Sequence, residues 1–92
     1  MIKIKFYSLI RMHLGINEIE VKTDSTTIIE LLQITEKQIN QKFIDQLIDI
    51  NNQIIPGTMI LINGRNIFHL DKLGSIVRNG DEISIFPPGG GG

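Results

Sequence analysis

Glu82-Ile83-Ser84-Ile85-Phe86-Pro87-Pro88-Gly89-Gly90-Gly91-Gly92 is the stretch on which the fold turns. Its first five residues alternate with period two. Ile83 and Ile85 face one side, and Glu82, Ser84 and Phe86 face the other, which is the pattern of a strand with one face in the core. Neither Pro87 nor Pro88 can donate a ladder hydrogen bond, so the strand stops at Phe86. Asn79-Gly80-Asp81 ahead of it is a turn. The opposite end of the sequence reads the same way. Met1 to Leu9 alternates, with Ile2, Ile4 and Phe6 on one side and Lys3, Lys5 and Tyr7 on the other. Two such strands suit parallel neighbours in the centre of one sheet.

The residues between them supply the rest of the fold. Arg11 to Gly15 turns the chain, and Glu18-Ile19-Glu20-Val21-Lys22 alternates again, as the partner of the first strand in a hairpin. Thr27-Ile28-Ile29-Glu30 has capping-box spacing, so a helix is predicted to start there. Ile28, Leu31, Leu32, Thr35 and Ile39 share one face of it. Phe43, Ile44, Leu47 and Ile48 either continue this helix or form a separate turn. Asn51-Asn52 and Pro56-Gly57 break the pattern. Met59-Ile60-Leu61-Ile62 reads as a short strand before the turn dipeptide Asn63-Gly64. Ile67 to Leu70 reads as another brief strand, and Leu70 to Gly74 as a tight turn or short helix. The result is an α+β class: a mixed sheet with one main helix packed across it. Ile2, Ile4, Phe6, Leu31, Leu32, Leu61, Ile83 and Ile85 are the expected core. The β-grasp arrangement is one of several that this order permits.

Composition narrows the function. Ninety-two residues make one domain with one modest core. The net charge is −1 with both signs scattered, so no basic stripe is available to neutralise phosphates, and nucleic-acid binding is not expected. The absence of cysteine excludes disulfides, cysteine–zinc sites and a thiol nucleophile. Charge interrupts the apolar residues of Met1 to Phe6, unlike a secretory leader, and nothing approaches a membrane span. A cytoplasmic protein that does not engage membranes is the expectation.

The chemistry falls to the last residues. The division expected is a folded domain over 1–86 and a flexible Pro-Pro-Gly tail over 87–92. Prolines favour an extended exit, and glycines, having no side chain, pass where no other residue fits. Six residues past Phe86 reach roughly 20 Å when extended. A glycine run is also the composition of a linker. Following directly on a strand and a double proline, it reads instead as a way to carry the terminal carboxylate of Gly92 into a partner's active site. A carboxylate is a poor electrophile until an ATP-dependent enzyme makes it an acyl-adenylate. Sulfur then gives a thiocarboxylate, or an amine an amide.

Four stretches resemble the MoaD/ThiS family of ubiquitin-like sulfur carriers, and within it the small subunit of molybdopterin synthase. They are Ile2-Lys3-Ile4-Lys5-Phe6-Tyr7; Thr27-Ile28-Ile29-Glu30-Leu31; Leu61-Ile62-Asn63-Gly64-Arg65-Asn66; and Asn79-Gly80-Asp81-Glu82-Ile83 running through Phe86-Pro87-Pro88 to Gly91-Gly92. They span nearly the whole chain in the family's order. The spacer Gly89-Gly90 departs from it, since the family seldom has glycine at both places. The resemblance implies a β-grasp fold and a carrier that is not itself an enzyme. It implies loading by a ubiquitin-activating-like adenylating enzyme that consumes ATP, with no cofactor bound to the chain. It also implies docking on the large subunit of molybdopterin synthase, which would hold the catalytic side chains. A carrier for thiamine or another sulfur metabolite shares these features, as does a protein modifier joined to lysines through Gly92.

Several other residues are candidates for contacts. Tyr7 and Phe86 fall on the face opposite Phe6 and Ile85; they either form an exposed aromatic docking surface or lie under neighbouring loops. Asp81 and Glu82 either serve the turn or meet a basic residue of the activating enzyme. His13 and His69 lack metal-ligand spacing and read as surface histidines, so no metal is expected. Arg65 reads as an exposed charge.

Overall fold

A computed structural model describes residues 1–89. β1 (Ile2–Phe6) and β7 (Glu82–Phe86) are parallel neighbours, pairing from Lys3 with Glu82 to Phe6 with Ile85. They form the middle of a five-stranded mixed sheet in the order β2-β1-β7-β4-β5, where β2 is Glu18–Val21, β4 Met59–Ile62 and β5 Arg65–Asn66. β3 (Ser25–Thr27) and β6 (Ile76–Arg78) pair in a small second sheet. Period-two patterning at both chain ends and a twelve-residue helix α2 (Ile28–Ile39) give the β-grasp architecture.

The core lies between the inner sheet face and α2. Ile2, Ile4, Phe6, Val21, Ile60, Ile62, Ile83 and Ile85 meet Ile28, Leu31 and Leu32, and Phe43 and Leu47 close one end. Thr27 caps α2. Its hydroxyl accepts the Glu30 N–H at 3.3 Å and donates to the Glu30 carboxylate at 2.8 Å. The helix ends at Asn40, whose φ of 55° suits asparagine, with its N–H on the Glu36 carbonyl. The Phe43 cluster is therefore a separate 3₁₀ turn, Ile44–Gln46. The Glu36 carboxylate ties it back by accepting the N–H groups of Phe43 and Ile44 at 2.7 and 2.9 Å.

Five local expectations are corrected. The first strand ends at Phe6 rather than Leu9, because Ser8 has a φ of 58° and opens a second helix, α1 (Ser8–Leu14). Ile10 and Leu14, four residues apart, bury one face of it, and the expected turn over 11–15 is the helix's last part with Gly15 at its C-cap. β1 and β2 are thus antiparallel partners joined by a helix instead of a tight hairpin. In β4 the inward residues are Ile60 and Ile62, opposite Ile85 and Ile83; Leu61 is half-buried on the other face. Ile67 to Leu70, expected as a brief strand, instead opens on a 3₁₀ turn, Ile67–His69, whose start is capped by the Asn66 side chain accepting the Phe68 N–H at 3.0 Å.

Candidate partner-binding surface and tail exit

The alternation that buries Phe6 and Ile85 sends Tyr7 and Phe86 outward, and the parallel register sets them side by side. Their rings stack at 4.4 Å between centroids and 9° between planes, and both are half-buried. The Tyr7 N–H continues the ladder by donating to the Ile85 carbonyl at 3.1 Å. On the other side of Phe86 its cross-strand partner is Met59, 41% exposed. An apolar row of Tyr7, Phe86 and Met59 therefore crosses three strands at the end of β7 from which the tail leaves. Sequence reasoning missed Met59. The signal was its parity with Leu61, concealed because Leu61 was given an inward place.

The opposite end of the same outer face is charged. Lys5 Nζ and a Glu82 carboxylate oxygen are 2.6 Å apart, and Lys3 lies 3.8 Å from Glu18. The hydrogen bond and charge of Glu82 push the Lys5 ammonium above its ordinary value, and those of Lys5 hold the Glu82 carboxyl below its own. The lowered Glu82 value stabilises the fold above the carboxyl's unfolded pKa and loses that effect as pH falls through the folded value. The raised Lys5 value acts below the unfolded lysine pKa and is lost as pH rises through the folded one. Both groups are exposed, so the effect on stability is small and screened by salt. Lys5→Met is expected to raise the pH at which the Glu82 carboxyl titrates, read by carbon NMR. An unmoved titration would show that the pair is not formed in solution.

Asp81 ties two turns together. Its carboxylate accepts the Asn63 side-chain N–H at 2.9 Å and the Arg78 N–H at 2.8 Å, and Asn63 in turn accepts the Glu82 N–H at 2.9 Å. Asp81 and Glu82 thus sit at the start of β7, about 13 Å along the strand from Phe86, and the fold does not bring them to the aromatic pair. Arg65, His13 and His69 are exposed. Among the described residues no group of three or more histidine, cysteine, aspartate or glutamate side chains could hold a metal ion. No helix among them is long and apolar enough to cross a membrane.

Packing continues past the boundary expected at 86/87. Pro87 is buried, Pro88 is half-buried, and Gly89 is exposed with a φ of 65°. Pro88 and Gly89 lie against Gly57, where an added β-carbon would be 3.4 Å from the Gly89 nitrogen and the Pro88 Cα. Gly91 and Gly92, the residues assigned the chemistry, lie outside the described residues, as does Gly90.

Comparison with known proteins agrees with this architecture. The ThiS family matches residues 4–92. A protein of Archaeoglobus fulgidus described as a sulfur carrier is 31% identical over 85 residues, covering 90% of this chain and 96% of the relative. Small archaeal modifier protein 3 of Haloferax volcanii is 28% identical over 92 residues, 99% of this chain and 98% of that protein. The CysO fold of the Amycolatopsis orientalis BexX/CysO complex superposes with a TM-score of 0.80 at 19% identity, covering 100% of each chain. With its family match running over almost every residue and its strands in β-grasp order, this chain belongs to the ThiS family of ubiquitin-like proteins.

Proposed function

We infer that this chain is a cytoplasmic sulfur carrier whose reactive group is the carboxylate of Gly92. The carboxylate oxygen attacks the α-phosphorus of ATP on an adenylating enzyme, and pyrophosphate leaves. A hydrosulfide-level sulfur then forms a bond to the acyl carbon, the bond from that carbon to the phosphate oxygen breaks, and AMP departs. The product is a thiocarboxylate. The chain supplies the carboxylate and a docking face, and its partners supply the catalytic side chains and hold the ATP. The observation that carries this reading is the placement of the apolar row Tyr7, Phe86 and Met59 beside the exit of a glycine-only terminus. A partner seated on that row has the terminus within reach.

Sulfur donation to a pterin precursor, on the large subunit of molybdopterin synthase, is the specific role the ending Phe86-Pro87-Pro88 favours. The likeness to small archaeal modifier protein 3 along 99% of the chain supports a second reading, in which Gly92 is joined to lysines of target proteins. One experiment separates them. The sulfur-loaded chain is offered in turn to the large synthase subunit with its pterin precursor, to a thiazole-forming system, and to cell extract with ATP. The proposed role predicts a dithiolene-bearing pterin in the first. Thiazole alone, or isopeptide conjugates alone, would replace it with the thiamine or the modifier role.

Docking has its own test. Tyr7→Ser with Phe86→Ser is expected to weaken partner binding at least tenfold, because aromatic anchors of this size often carry about 2 kcal/mol or more of an interface. The fold should remain cooperative, since neither ring is in the core. Unchanged affinity in calorimetry would remove the row from the interface.

A further inference from the structure

Gly57 lies in the turn Pro56-Gly57-Thr58 that leads into β4, with a φ of 95° that side chains rarely adopt. The turn is anchored from beneath. Thr58, 3% exposed, donates its N–H to the Ile55 carbonyl at 3.0 Å and its hydroxyl to the Leu47 carbonyl at 3.3 Å. The Ile55 N–H reaches the same Leu47 carbonyl at 2.9 Å, and Leu47 is fully buried. On its outer side the turn meets the chain's exit. A β-carbon at Gly57 would lie 3.4 Å from the Gly89 nitrogen, 3.4 Å from the Pro88 Cα and 3.5 Å from the Pro88 Cβ. One added carbon would stand in van der Waals contact with the exit, and a longer side chain would have to be placed beside it.

Gly80 separates this contact from simple turn geometry. It has nearly the same backbone, with a φ of 97°, in the turn before β7, but a β-carbon there meets nothing within 4 Å. Both glycines satisfy a backbone demand. Only Gly57 also leaves its side-chain space to the exit.

We propose that Gly57 is a positioning residue for the tail's exit: its bare backbone seats Pro88 and Gly89 and so sets the point at which the chain leaves the domain toward the adenylating partner. This rests on the carboxylate reading above. Gly92 is three residues past Gly89, a reach of at most about 10 Å, so the seat sets the point from which the last glycines must reach the reacting atoms. Misplacement of a reacting group by about 1 Å can cost a hundredfold in rate.

The test compares Gly57→Asn with Gly80→Asn, asparagine being the side chain best tolerated at positive φ. Both are expected to lower Tm, since each places a side chain at a φ near 95°, and each variant is assayed below its own Tm. Pyrophosphate release is measured with the adenylating enzyme and ATP, and the Gly89 amide is followed by NMR. Gly80→Asn should keep the parent's kcat, KM and Gly89 signal. Gly57→Asn should shift that signal and lower kcat about tenfold to a hundredfold. Its KM for the enzyme should stay within about twofold, because the row Tyr7, Phe86 and Met59 is untouched and still carries docking. Gly57→Ala, which only adds the touching carbon, should move both readings the same way by less, and it serves if the asparagine variant does not fold. A Gly57 variant that loads like its Gly80 counterpart, or leaves the Gly89 amide unmoved, overturns the proposal while a loaded parent keeps the carboxylate reading. A parent that is never adenylated overturns both.

Discussion

Phe6→Ala is expected to destabilise the fold by about 3–5 kcal/mol, measured as the loss of unfolding free energy in urea. Phe6 is 1% exposed and ends β1, one of the two central strands. Its ring meets Phe43 edge-on, with centroids 5.4 Å apart and planes at 76°. Phe43 is itself held by the Glu36 carboxylate from α2, so this one contact joins sheet, helix and the turn after the helix. Alanine would leave a cavity walled by three elements that cannot all move in, which places the cost at the upper end for its size. Leu61→Ala, half-buried on the outer face, should cost clearly less. Equal losses at the two positions would contradict the assignment of inner and outer faces.

Deleting Gly92, or adding one residue after it, should abolish sulfur loading while leaving Tm unchanged. Adenylation needs the free carboxylate in one place, and residues 90–92 add no side chain to the core. Gly91→Phe should also block loading, because its side chain would obstruct a narrow channel and restrict the backbone. Gly90→Ala should matter far less, since the family resemblance implies that side chains are accepted there. Gly89→Ala is the intermediate case. Its β-carbon would meet nothing within 4 Å, yet its φ of 65° gives a backbone cost of about 1 kcal/mol. Pyrophosphate release separates these variants from merely unstable ones, since each is compared at a measured Tm.

The central pairing of β1 with β7, the capped start of α2 at Thr27 and most of the core were legible in the sequence because each has its own period or spacing. What was not legible has local causes. Ser8-Leu9-Ile10 extends the alternation of β1 in letters, but a positive φ at Ser8 breaks it, and pattern alone does not report φ. A four-residue apolar run such as Met59 to Ile62 has no polar member to mark its outer face, so its register came only from its partner strand. The β3–β6 pair is three residues long on each side and joins segments fifty positions apart, leaving no local trace. Tyr7 and Phe86 were found from parity, whereas Met59 and Gly57 depend on which strand and which turn the tail passes. The roles of Gly91 and Gly92 came from composition and resemblance.

Whether sulfur is carried on the carboxylate of Gly92 can be read by mass spectrometry of the C-terminal peptide. The protein is incubated with its adenylating enzyme, ATP and sulfide, then digested to isolate the C-terminal peptide. This peptide alone should gain the mass of one sulfur less one oxygen, and only in the presence of ATP. Sulfur on any other peptide, or an equal gain in a chain extended beyond Gly92, would contradict carriage on Gly92.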